Sequence, residues 1–168
     1  MITPANISDS KTGRTERSRD DLKELIAAHR FFKGLDPAFL PFLASVAKFI
    51  EYDAGELILN EAAEADSFHL ILWGAVGLEA HVPGKRQVTV QRIGVGEALG
   101  WSWFFPPHSW RFSARTLDAA EVIAFDATAL RDYADKNHDF GYDLSLRMGQ
   151  LMHERLKATC ALLVDYCH

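Results

Sequence analysis

Seven short runs of alternating apolar and polar residues, each closed by turn residues, crowd the middle of this chain. They are Phe49 to Tyr52, Leu57 to Asn60, Phe68 to Trp73, Val76 to His81, Val88 to Ile93, Arg111 to Leu117 and Glu121 to Phe125. Asp53-Ala54-Gly55, Gly74, Pro83-Gly84, Gly94 and Gly96 break them. Period-two alternation marks half-buried strands, and short strands at this spacing mean a sandwich, roll or barrel. No helical stretch separates one run from the next, so a parallel α/β sheet is excluded.

Helical signals flank the strands. Leu22, Leu25, Ile26 and His29 recur at helical spacing from about Asp20, and Phe31-Phe32-Lys33-Gly34-Leu35 predicts an end at the glycine. Asp36-Pro37 predicts a restart, a capping carboxylate followed by proline in the first turn, with Phe39, Leu40, Leu43 and Val46 facing inward. After the strands, Asp126 reads as a cap for a short helix carrying Leu130, Tyr133 and Ala134. A proline-free helix then runs from about Phe140 to Cys167. The expected fold is mainly β with flanking helices: an antiparallel β-roll (a double-stranded, jelly-roll-like barrel) with N-terminal helices and a long C-terminal helix. Residues 1–20 read as a mobile polar tail, since Glu16, Asp20 and Asp21 interleave with Lys11, Arg14, Arg17 and Arg19. Residues 21–168 form one domain, with the roll at about 47–126 and the C-terminal helices at about 127–167.

The 168 residues suffice for one core without disulfides or metal, and 48% of them are hydrophobic. A net charge of −5 opposes broad binding to nucleic acid or anionic membranes. No apolar run approaches a membrane span, and the N-terminus lacks the pattern of a signal peptide, so a cytoplasmic location is expected.

The last helix is apolar on more than one stripe, as when a helix packs on its own domain and on a partner. Met148, Met152, Leu156, Cys160 and Leu163 are the expected homodimer interface. Cys160 and Cys167 lie two helical turns, or about 10 Å, apart. One chain therefore cannot chelate a metal with both, and neither they nor His153 and His168 predict a metal site. Small interface residues, or pairing between chains, remain as readings. His69 is expected at the surface or half-buried.

Four stretches carry a family likeness: His29-Arg30-Phe31-Phe32-Lys33-Gly34-Leu35, Asp53-Ala54-Gly55-Glu56-Leu57-Ile58, Asp66 to Val76 with its turn glycine Gly74, and Ile93-Gly94-Val95-Gly96-Glu97-Ala98-Leu99-Gly100. In this order, across roughly residues 25–165, they resemble the cyclic-nucleotide-binding domain of Crp/Fnr regulators and protein kinase A regulatory subunits. The likeness implies a ligand-sensing β-roll and cAMP or cGMP as ligand, held by a cassette that reads Gly-Glu, a variable loop, then Arg. The glutamate accepts from the ribose hydroxyl and the arginine pairs with the cyclic phosphate.

This chain departs from that cassette. Gly100 matches the glycine, but Trp101 follows it, and Glu97 falls before the turn and reads as a turn residue. Counting back from the Glu121–Phe125 strand puts Trp110 at the arginine position; counting forward from Gly100 admits Arg111. If Trp110 points inward, its neighbour points out. An arginine–phosphate contact is worth roughly 1.5–3 kcal/mol and a hydroxyl–carboxylate bond about the same. Losing both costs on the order of 3–6 kcal/mol, about two to four decades of affinity. Cyclic nucleotide binding is thus implied by the family and opposed by the cassette, which resembles a Gly-Trp-Ser-Trp variant found in a subset of members.

Residues 101–112 contain six aromatics, three of the chain's four tryptophans among them. Three readings stay open: a hydrophobic plug against the long helix, a pocket for a flatter and more apolar ligand, or residual nucleotide binding through Arg111, Ser113 and the amides after Gly100. The candidate ligand residues are Gly100, Trp101, Ser102, Trp103, Trp110, Arg111, Phe112 and Ser113. No nucleophile elbow, metalloprotease helix or phosphate loop occurs, so no enzyme and no catalytic residue is expected. The chain stops where family regulators continue into a DNA-binding module, so direct DNA binding is not expected. A regulatory module signalling through its last helix, or a ligand-free dimerisation and interaction module, are the two functional expectations.

Overall fold

The structure, a computed structural model, describes residues 17–84 and 87–166. The strands are β1 (Ala47–Tyr52), β2 (Leu57–Leu59), β3 (Ser67–Trp73), β4 (Val76–Ala80), β5 (Val88–Ile93), β6 (Ala98–Leu99), β7 (Ser113–Thr116) and β8 (Ala120–Asp126). They form two antiparallel four-stranded sheets, ordered β1-β8-β3-β6 and β2-β7-β4-β5. The expected roll is present, but as two open sheets and not as a closed barrel. β8 sits between two partners, so Val122 faces Ile50 on one side and Ile71 on the other. One strand, β6, was not expected; its two residues are too short to show a period.

The turn between β3 and β4 depends on glycine. Gly74 has φ +80°, and a Cβ there would lie 2.2 Å from the Ala119 carbonyl oxygen. The core between the sheets and helices is dense in aromatics: Phe32, Phe68, Trp103, Phe125 and Phe140 are all fully buried. Each large side chain of this kind stabilises the fold by about 1.5–3 kcal/mol.

Helix α1 (Arg19–Ala28) opens on Ser18, whose hydroxyl accepts from the Asp21 amide while the Asp21 carboxylate accepts from the Ser18 amide. Ordered structure thus begins before residue 21, and most of the expected tail, residues 1–16, lies outside the described residues. Gly34 does not end α1 as expected. The helix stops at His29, because the His29 ring starts a new turn. Its Nδ1 accepts from the Phe31 amide at 3.1 Å, which leaves Nε2–H to donate to the Ile71 carbonyl at 3.3 Å. Asp36 caps the next turn by accepting from the Ala38 amide, and α2 (Leu40–Ser45) follows.

Asp126 caps α3 (Ala127–Lys136) through the Ala129 amide. Helix α4 (His138–Tyr166) starts two residues before the expected Phe140. Gly141 lets α3 and α4 close together, since a Cβ on it would meet the Ala134 carbonyl oxygen at 2.8 Å. Tyr133 stacks on Phe42 with centroids 3.7 Å apart, joining the N-terminal and C-terminal helices.

Two expectations fail on burial. His69 is buried, because β3 lies between β8 and β6 and is covered on both faces. Met148, expected at the dimer interface, is 0% exposed in the core of its own domain and offers no exposed surface to a second copy.

Candidate functional site

Gly100, at φ +84°, ends β6 and turns the chain into the aromatic loop. Its bare Cα is where the Trp110 indole rests: a Cβ on Gly100 would lie 2.8 Å from Cζ3 and 2.9 Å from Cη2 of that ring. Trp110 is 5% exposed, whereas Arg111 is exposed and makes no hydrogen bond or ion pair among the described residues. An indole thus covers the glycine turn, and the adjacent guanidinium faces solvent.

The loop itself is tied down. Trp101 is half-buried and precedes a 3₁₀ turn, Ser102–Phe104, in which Ser102 and Trp103 are buried. Trp103 packs on Phe68 with centroids 5.4 Å apart. The turn leans on α3 through Arg131, whose Nη1 donates to the Trp103 carbonyl at 2.7 Å. At the far end, the Trp110 amide donates to the Ala63 carbonyl, and Ala62 and Ala65 donate to the carbonyls of Trp110 and His108. The Ser113 hydroxyl accepts from the Glu61 amide at 3.0 Å. Phe112 is 37% exposed. The eight candidate residues therefore share one loop but not one pocket: Trp103 and Trp110 belong to the core, Ser113 is engaged by backbone, and Arg111 and Phe112 face outward.

Sequence reasoning missed the link between this loop and α4. Glu97 does act in its turn, where its Oε2 accepts from the Gly94 amide at 2.7 Å. Its Oε1 also accepts from Nη1 of Arg155 at 3.3 Å, while Nη2 of Arg155 donates to the Ala98 carbonyl at 2.8 Å. Eight residues earlier on the same helix face, Arg147 donates to the carbonyls of Phe31 and Lys33 and pairs with Asp143. Arg30 pairs with Glu154 at 3.0 Å. Burial pulls the Arg155 pKa below its ordinary value, and the carboxylates of Glu97 and Glu154 act against that. The available signal was helical spacing: Arg147, Leu151 and Arg155 recur every four residues on one face.

Elsewhere the charges serve structure. Arg115 donates to Glu79 and to the Gly55 carbonyl, and the Thr116 hydroxyl donates to the Asp53 carbonyl while accepting from the Glu56 amide. Among the described residues no cluster of three or more His, Cys, Asp or Glu side chains could hold a metal ion. No described helix is long and apolar enough to cross a membrane. Cys160 is exposed, and Cys167 and His168 lie outside the described residues.

Two open antiparallel sheets, a glycine turn leading into a short helical loop, and a long closing helix define the cyclic-nucleotide-binding fold. The chain belongs to the cyclic nucleotide-binding domain family, whose model matches residues 49–137. It is 23% identical over 145 residues to the CRP-like cAMP-activated global transcriptional regulator of Mycobacterium tuberculosis, a match covering 86% of this chain and 62% of that protein. The chain thus spans less than two thirds of that regulator's length. Among solved structures, a protein of Geobacter metallireducens GS-15 classed as cyclic nucleotide-binding superposes with a TM-score of 0.72 at 25% identity, over 80% of this chain and 97% of the other. A cyclic nucleotide-binding domain from Methylobacillus flagellatus KT gives 0.73 at 18% identity, over 88% and 83%.

Proposed function

We propose that this chain is a non-enzymatic, cytoplasmic regulatory domain of the cyclic-nucleotide-binding type whose cassette no longer favours a cyclic nucleotide and whose output runs through α4. One observation carries the reading: the Trp110 indole lies against Gly100, with Arg111 turned to solvent. A cyclic phosphate needs an inward cation and open backbone amides at that turn. Trp101 also follows Gly100 in place of a carboxylate, which removes the ribose contact. The link from Glu97 to Arg155 supports a mechanical connection between the cassette turn and α4. Calorimetric titration with cAMP and with cGMP tests the reading. No saturable binding is expected below about 100 μM, since two lost charge-assisted contacts remove about two to four decades. Saturation in that range would sink it.

A second reading, homodimerisation through the far end of α4, rests on a separate observation. Residues 156–165 are all exposed, with Leu156 at 63% and Leu163 at 61%. Of the expected interface, Met152 is half-buried while Leu156, Cys160 and Leu163 remain available.

A further inference from the structure

A cleft of about 400 Å³ opens between the Ser102–Phe104 turn, α3 and the first turns of α4. Its lining includes neither Gly100 nor Trp110, so it is distinct from the glycine turn where family members are expected to hold a nucleotide. Phe104, Ala134 and Tyr142 give it aromatic and aliphatic walls beside Arg131, over the buried Trp103 and Leu144. Its volume falls within the roughly 300–1,000 Å³ range of ligand pockets, and it is half open to solvent.

One charged group stands at the cassette wall. Arg131 carries five N–H donors. It uses Nη1 on the Trp103 carbonyl and Nη2 on the Thr128 hydroxyl at 3.1 Å, and it has no carboxylate partner among the described residues. Trp103 is 0% exposed, so its Nε1–H, unpartnered among the described residues, is closed off from the cleft and leaves Arg131 as the donor that a ligand can reach. Asp135 and His138 stand at the exposed rim, and neither pairs with Arg131.

Phe104, half-buried, and Tyr142, 69% exposed, offer ring surface on opposite structural elements. A planar aromatic body satisfies those walls. A carboxylate on that body satisfies the guanidinium through charge-assisted hydrogen bonds, which a neutral group does not match. We propose that this cleft binds a small aromatic carboxylate, one or two rings with a single acidic group, and that Arg131 recognises the anion. Since Arg131 also holds the Trp103 carbonyl, occupancy is registered by the cassette itself. The site needs no cyclic nucleotide and does not depend on how the roll interior is used.

The test is calorimetric titration of the full chain with 2-naphthoate, alongside its neutral analogue 2-naphthamide. One saturable site is expected below about 1 mM, with the amide at least about tenfold weaker. Arg131→Gln should weaken naphthoate by at least about tenfold. Because that change also cuts the tie to Trp103, Ser145→Trp serves as a second variant: it fills the cleft and leaves Arg131 in place, and it should abolish binding. A large excess of cAMP should not displace naphthoate. No saturation by about 5 mM, equal binding of the amide, full affinity in both variants, or displacement by cAMP would each overturn the proposal.

Discussion

The two halves of α4 share one continuous backbone and have opposite surroundings. In the first half Phe140, Leu144, Met148 and Leu151 are 0, 1, 0 and 7% exposed, and their spacing keeps one face against the domain. In the second half every residue from Leu156 to Asp165 is exposed, although Leu156, Leu162, Leu163 and Val164 are as apolar as the residues before them. Arg147 and Arg155 frame the change. The first reaches the carbonyls of Phe31 and Lys33, and the second reaches Glu97 and Ala98. Beyond Arg155 the helix stays exposed from Leu156 to Asp165. Apolar periodicity reports that a face wants burial, and it does not report whether the cover comes from the same chain.

The sharpest way to break this contrast is to truncate one apolar side chain in each half. Met148→Ala should cost about 2–5 kcal/mol of unfolding free energy, since it empties a fully packed site. Its effect should not vary with protein concentration. Urea unfolding at two concentrations checks this, and a concentration-dependent loss would return Met148 to an interface.

Acid should act on the packed region before the projecting one. Burial holds the His69 ring neutral and pulls its pKa down to about 4, with no partner at Nδ1 among the described residues. The unfolded chain takes up a proton near the ordinary histidine value of about 6.5, so it binds more protons than the folded chain between the two values. The folded pKa is the lower one, so this stability is complete above about pH 6.5. It is lost as pH falls toward 4, and amounts to on the order of 3 kcal/mol. Burial lowers the pKa of His29 as well, in the same direction. Urea midpoints measured from pH 7.5 to 4.5 should fall more steeply in the wild type than in His69→Gln. Parallel curves would show that His69 does not carry the effect.

The boundary between the halves responds to a smaller change. Glu97→Gln keeps the shape of the side chain and removes the charge that faces Arg155. The pair is partly exposed, so the loss should be about 1 kcal/mol. Amide exchange should quicken around Arg155 and in the Gly94–Ala98 turn, with the Phe140–Leu151 segment unchanged. Uniform exchange along α4 would dismiss the link between turn and helix.

Much of this contrast was hidden in the sequence, and the reasons are physical. Local chemistry was readable: Asp36 and Asp126 cap helices as their side chains predict, and seven strands announced themselves by alternation. Ala98–Leu99 did not, because two residues have no period. His69 misled because a polar residue among apolar ones suggests an outward face, while β3 is buried on both faces from Phe68 to Ile71. The aromatic loop was visible as composition. The inward turn of Trp110 follows from its contact with Gly100, ten residues away, and the partnership of Glu97 with Arg155 spans 58 residues. Such long-range pairs are set by how α4 lies across the domain, which no local pattern encodes.

The projecting half offers the gentlest perturbation of stability and the clearest one of assembly. Leu156→Asp with Leu163→Asp places two charges on residues that already face solvent, so the unfolding free energy of the isolated chain should change by less than about 0.5 kcal/mol. If the exposed stripe is where a second copy docks, the same charges would be buried without partners. They would shift the sedimentation profile from dimer to monomer. A wild-type chain that sediments as a monomer at high concentration would leave the stripe to a different partner. A double variant that is still dimeric would move the contact elsewhere on the surface. In both cases Met148→Ala keeps its full cost, because the first half of α4 is covered by its own domain whatever the second half meets.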